Sequence, residues 1–151
     1  MNDYNQLIFL MERIIHKYNE WENKKRDYGT GLLLSKSEIH TIVAIGDNQG
    51  INVTSLAKYL GITKGAASQM IYKLVDKGLV EKKVSPSSDT EVVLTLTKDG
   101  QINYDKHNEL HKEANDESIK ILKTMPKELY DYMFDFFTSF EGIIDNKLSD
   151  E

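Results

Sequence analysis

The chain has 151 residues, a formal net charge of −5 and no cysteine. That length suits a single domain with a real core, and the missing thiols exclude a disulfide framework, a thiolate metal cage and a cysteine redox sensor. Residues Ile51 to Thr97 hold six basic residues against four acidic ones, so the remainder carries −7, and a mildly basic middle between acidic flanks fits a nucleic-acid reader whose two ends do something else.

From Leu7 to Trp21 the apolar residues Leu7, Met11, Ile14, Tyr18 and Trp21 recur at the helical repeat of three and four. Glu12, Arg13, His16 and Lys17 interrupt the apolar patch Leu7 to Met11 at once, so it is neither a signal-peptide core nor a membrane span, and a cytoplasmic location is expected. Asp27 to Leu34, with Gly29 and Gly31, reads as a connection. Ser35 and Glu38 then have the spacing of a capping box that opens a helix over about Lys36 to Gly46.

Asp47 to Asn52 reads as a turn, followed by helices over Val53 to Leu60 and Thr63 to Lys77. Ala57 is the small residue a tight helix crossing needs, and Gly61 suits the turn between the pair. Leu56, Leu60, Ile62, Ala67, Met70, Ile71 and Leu74 are the expected interior, which leaves Gly65, Ser68, Gln69, Tyr72 and Lys73 facing outward. Beyond Gly78, the β-prone runs Leu79 to Val84 and Glu91 to Leu96 flank the turn-forming cluster Ser85 to Asp89 and predict a hairpin. A long helix is expected over Thr97 to about Thr124. Pro126 then breaks it and starts a last helix with Leu129, Met133, Phe136, Phe137, Phe140, Ile143 and Ile144 on one stripe.

The fold class this predicts is mainly α with a small β-hairpin wing, a winged helix-turn-helix with N- and C-terminal dimerisation helices. Residues 35–97 form the DNA-binding region, and residues 1–34 and 98–151 the helical dimerisation region. The terminal helices carry more apolar surface than the central module can cover, so they are expected to pack together and against a second copy of the chain. Double-stranded DNA is the expected partner. Thr63 opens the reading helix and leaves the amides of Lys64 and Gly65 near phosphate. Ser68 and Gln69 are placed to read base edges, while Lys64 and Lys73 position the helix on phosphates. Thr54 and Tyr72, with Ser88 and Thr90 of the wing, complete the expected contact set.

Leu34-Ser-Lys-Ser-Glu38, the segment ending in Lys77-Gly-Leu-Val-Glu-Lys-Lys83, the Ser-Pro turn and Leu94-Thr-Leu-Thr-Lys-Asp-Gly100 together resemble the MarR family over nearly the whole chain. The resemblance implies a triangular homodimeric regulator with a winged helix at each lower corner, reading successive major grooves of a pseudo-palindromic operator. It also exposes a departure. Where the family has an Asp-x-Arg motif in the wing, this chain has Ser88-Asp89-Thr90, and Asp89 and Glu91 are expected to be repelled by phosphate.

Three of the four histidines invite a metal reading. His107 and His111 are spaced i and i+4 on one helix face, about 5–6 Å apart at Cβ, and histidine favours zinc where thiolates are missing. Resemblance to the zinc-responsive branch of the family implies Glu22, His40, His107 and His111 as ligands, although that branch's second site is not preserved: Ile39 stands at one acidic position. A competing reading makes His40 an interface residue and His107 and His111 solvated surface imidazoles. A small-molecule effector near Trp21, Tyr28 and Tyr104 is the other switch, although aromatics at helical spacing are more often core. The alternative function is a winged-helix protein-interaction module without strong DNA binding, suggested by the acidic wing. A metalloenzyme is disfavoured because no convincing base or nucleophile accompanies the histidines.

Overall fold

The computed structural model describes residues 3–86 and 88–149, and the side chains of Ser88, Asp89 and Thr90 lie outside that description. Asp3 caps the first helix, α1 (Tyr4–Asn23), by accepting from the Asn5 amide. The connection is not wholly irregular. Two-residue strands β1 (Arg26–Asp27) and β2 (Leu33–Leu34) pair antiparallel, and the Asp27 carboxylate accepts from the amides of Gly29, Thr30 and Gly31 at 2.8–3.0 Å. Gly29 and Gly31 have φ of +96° and +76°, which only glycine adopts without strain.

Helix α2 (Lys36–Asp47) begins with the full capping box of Ser35 and Glu38. Asn52 caps α3 (Val53–Leu60) and Thr63 caps α4 (Lys64–Asp76), with Gly61 in the left-handed conformation between them. The wing pairs β3 (Val80–Ser85) with β4 (Ser88–Leu96) in antiparallel register, with a bulge at Val84/Ser85. β4 starts three residues before the expected Glu91, which places Ser88 and Asp89 on the strand instead of in the turn and adds Thr90 to it. Helices α5 (Lys98–Leu122) and α6 (Lys127–Ser149) follow, with Pro126 just outside the last. Among the described residues no helix is long and apolar enough to cross a membrane.

Two compact units result, residues 1–109 and 110–151, so the division falls inside α5. The first holds the core. Leu34, Ile42, Ile45, Leu56, Ala67, Ile71, Leu74, Leu79 and Leu94 are fully buried, drawn from β2, α2, α3, α4 and the wing. The first turns of α5 belong here through polar and close-packed contacts. Buried Asn103 donates to the Asp99 carbonyl at 2.7 Å and to Thr30 Oγ1 at 3.0 Å, and Tyr104 donates to Asp47 at 2.6 Å. In the second unit, no residue of α6 is buried, and Leu129, Phe136, Phe137, Ile143 and Ile144 stand exposed. In the first unit, α1 likewise exposes Leu7, Ile14, Ile15 and Tyr18.

Gly100 sits where α5 begins, and an added Cβ there would lie 2.0 Å from the Leu79 carbonyl oxygen. Glycine to alanine inside a helix ordinarily stabilises by roughly 1 kcal/mol, but a backbone atom cannot step aside, so overpacking decides the sign. Gly100→Ala should destabilise the protein by about 1–3 kcal/mol, read as a lower urea midpoint. A raised midpoint would contradict this packing.

Candidate nucleic-acid interface

The reading helix is oriented from behind. Ala67, Ile71 and Leu74 of α4 are completely buried, and at 3.6 residues per turn this turns Gly65, Ser68, Gln69, Tyr72 and Lys73 outward, where all five are exposed. Tyr72 is 72% exposed, too open for a core residue. Buried Ala57 is the small residue in α3, which contacts α4, and the Ile62 amide closes the turn on the Ala57 carbonyl at 3.0 Å. Ile62 itself is 41% exposed. It was expected inside, but one residue past left-handed Gly61 the chain has left the helical phase. Leu60 and Met70 are half-buried.

At the front of α4, Thr63 Oγ1 accepts from the Ala66 amide at 3.2 Å. The amides of Lys64 and Gly65 fall in the first helical turn, where no intrahelical acceptor exists and the helix dipole favours an anion. Thr54, Thr63, Lys58 and Lys64 are exposed. The candidate contacts on α3 and α4 are therefore all open to solvent, whereas the side chains of Ser88 and Thr90 lie outside the described residues.

Two polar ties that sequence reasoning missed hold this surface. Lys77, the C-cap of α4, donates to Glu38 Oε1 at 2.6 Å, while Glu38 Oε2 accepts from the Ser35 amide at 2.9 Å. Burial pushes the Glu38 carboxyl up, but hydrogen bonds from Lys77 and Ser35 and the Lys77 charge outweigh it, leaving the group below its ordinary value. At the wing, the Glu91 carboxylate accepts from Asn52 Nδ2 at 2.7 Å. Glu81 pairs with Lys83 at 2.6 Å and accepts from Thr95 at 3.3 Å. The Lys83 hydrogen bond is the main reason the Glu81 carboxyl lies below its ordinary value. The Ser35–Glu38 spacing was readable, but partners 39 positions apart leave no periodic signal.

Of the candidate metal ligands, three meet in the first unit. Buried Glu22 lies 3.1 Å from His40 Nε2, and the His40 ring stands edge-on to His107 with centroids 5.5 Å apart. His107 is buried beside Tyr28, not a solvated surface imidazole. His111 belongs to the second unit. The donor types suit zinc, but the arrangement is an ion-paired, ring-packed cluster. Lys36 Nζ stands 3.7 Å from the same Glu22 oxygen, and among the described residues no three His, Asp or Glu side chains are arranged to hold a metal ion. The other aromatics are packed separately. Trp21 lies against Tyr18 and under the Arg26 guanidinium, and Tyr104 lies beside Gly46 and is bonded to Asp47.

Comparison with known proteins agrees with this geometry. Residues 34–92 match the model of the MarR family. The chain is 28% identical to the HTH-type transcriptional regulator YhjH of Bacillus subtilis over 134 residues, covering 81% of this chain and 77% of the relative. It is 26% identical to the multiple antibiotic resistance protein MarR of Escherichia coli, covering 83% and 94%. Among solved structures, Streptococcus pneumoniae FabT in complex with DNA superposes with a TM-score of 0.74 at 24% identity, covering 95% of this chain and 99% of that one. Lactococcus lactis ZitR in complex with DNA gives 0.75 at 16%, again over 95% and 99%.

A carboxyl held below its ordinary value stabilises the fold above the usual carboxylate range and loses that contribution as pH falls through its folded value. Glu38→Gln should therefore cost about 1 kcal/mol near pH 7, in line with one half-buried charged hydrogen bond. Its deficit against the parent should shrink as pH falls below the ordinary 4.5. A deficit independent of pH would deny the Lys77 pairing.

Proposed function

We propose that the chain, whose residues 34–92 match the MarR family model, is a DNA-binding transcriptional regulator of that family, not an enzyme, and acts as a homodimer laying α4 of each copy in successive major grooves of a pseudo-palindromic operator. The observation that carries this is the division of α4 into one completely buried face and one open face bearing hydroxyl, amide, phenol and ammonium groups. Gln69 offers a two-pronged amide suited to adenine, and Ser68 bonds to either partner of a base pair. Lys64, Lys73 and the amides at the start of α4 take phosphates. FabT and ZitR have both been solved in complex with DNA, which supports the same use of this surface. A second copy is the occupant proposed for the exposed apolar faces of α1 and of α6, since faces of that breadth on a regulator mark protein contact. A dimer also gives half-sites about 34–36 Å apart.

On a duplex selected by the protein from a random library, two chains should bind per site. Gln69→Ala should cost about 1–3 kcal/mol and relax preference at one position, whereas Lys73→Ala should weaken all sequences alike and lower the salt slope by about 1. Equal, sequence-independent losses in both variants would assign α4 to backbone contact only, and one chain per duplex would remove the dimer.

The regulatory input is proposed at the Glu22–His40–His107 cluster. Burying ionisable groups between helices is costly, and a metal ion or small ligand that re-pairs them would shift the populations of DNA-binding states. As arranged, the cluster is not a ligand cage. Zinc is the first probe: a zinc-dependent change in operator affinity should be present in the parent and lost in His107→Ala. No zinc effect takes the metal out of the reading, and an effect that survives in the variant moves the input elsewhere.

A further inference from the structure

We propose that Asn52 and Glu91 form a strut that sets the wing against the helix-turn-helix, so that this acidic residue of the wing aids DNA binding by position instead of opposing it by charge. The inference rests on the DNA-binding reading above. Asn52 uses both ends of its amide. Oδ1 accepts from the Ser55 amide at 2.9 Å and caps α3, while Nδ2 donates to Glu91 Oε1 at 2.7 Å. One residue earlier, the Ile51 carbonyl accepts from the Leu94 amide at 2.9 Å. Residues 51 and 52 thus grip β4 at two points three residues apart, one through the backbone and one through side chains.

The two grips differ in what backs them. Leu94 is fully buried, so the core already holds that end of the strand. Towards the tip the apolar pair Val84 and Val92, opposite each other in register, is exposed at 62% and 46%. Packing of that pair does not fix the hairpin there, and the hydrogen bond from Asn52 supplies a directional hold. Helix polarity adds to it. The first turn of α3 contains no acidic residue, and Glu91, bonded to the capping residue, supplies a negative charge at its positive end. The acid of β3, Glu81, lies opposite Thr95 and is paired with Lys83. Glu91 is therefore a positioning residue, and its removal is expected to release the wing before it relieves any repulsion.

The two roles predict opposite signs. Glu91→Gln keeps an acceptor for Asn52 but removes the charge, and Glu91→Ala removes both. Repulsion alone predicts that both variants tighten duplex binding equally. The strut predicts that Glu91→Gln binds at least as well as the parent while Glu91→Ala binds about five-fold more weakly, the scale of one lost hydrogen bond. Asn52→Asp retains a strong helix cap but sets carboxylate against carboxylate, so it should also weaken binding. Asn52→Asp combined with Glu91→Gln should restore it, because the amide donor then sits on the wing side. Amide hydrogen exchange of the full-length DNA-free protein supplies a separate readout: exchange towards the tip of the hairpin, around Val84 and Val92, should quicken in Glu91→Ala and Asn52→Asp while Leu94 keeps its parental rate, and the tip should return to the parental rate in the double variant. Equal tightening by both Glu91 variants, or unchanged exchange in Glu91→Ala and Asn52→Asp, overturns the strut. A parent that shows no salt-dependent duplex binding instead overturns the DNA-binding reading, and the exchange rates still decide the strut.

Discussion

The buried seam of α4 is the constraint on which the rest depends. Ala67, Ile71 and Leu74 lose all contact with solvent, and the helical repeat leaves no freedom in where the remaining side chains point. Once that seam is closed against α3, α2 and β3, a row of hydrogen-bonding groups must face out. Each large apolar side chain so buried contributes roughly 1.5–3 kcal/mol. The orientation of the polar face is therefore a consequence of the core and needs no stabilising contact of its own.

Polar ties act at a different scale. A net hydrogen bond contributes about 1 kcal/mol, too little to decide whether this fold exists but enough to choose among nearby arrangements of its parts. Glu38 to Lys77 joins the start of α2 to the end of α4, and Asn52 to Glu91 joins the start of α3 to the wing. Thr97 plays a comparable part at the root of α5, donating to the Gly78 carbonyl at 2.7 Å and accepting from the Gly100 amide at 3.0 Å. Each tie leaves from a helix terminus, where unsatisfied backbone groups and the dipole make charged or capping side chains most effective.

This division of labour explains what could be read from the sequence. Helix phase, the caps at Ser35 and Thr63, the Gly61 turn and the outward face of α4 are local patterns, and α3 falls on the residues its periodicity marks, Val53–Leu60. What escaped reading is non-local. The start of β4 at Ser88 is fixed by pairing with Ser85 across the bulge, not by the propensities of Ser88 and Asp89, which favour a turn. His107 looked solvated on a helix of strongly polar composition, yet it is buried beside Tyr28 and His40. The short β1–β2 pair depends on Asp27 gathering three amides, a feature of conformation that no spacing rule announces.

The exposed apolar faces of α1 and α6 and the open face of α4 suit different partners, one a protein surface and the other a duplex. The most direct measurement of the central claim is an amide chemical-shift map of the full-length protein titrated with its selected duplex. The account predicts that the largest changes fall on Thr63 to Lys73, with a second group on the wing. Changes concentrated on α1 or α6, with α4 silent, would contradict it.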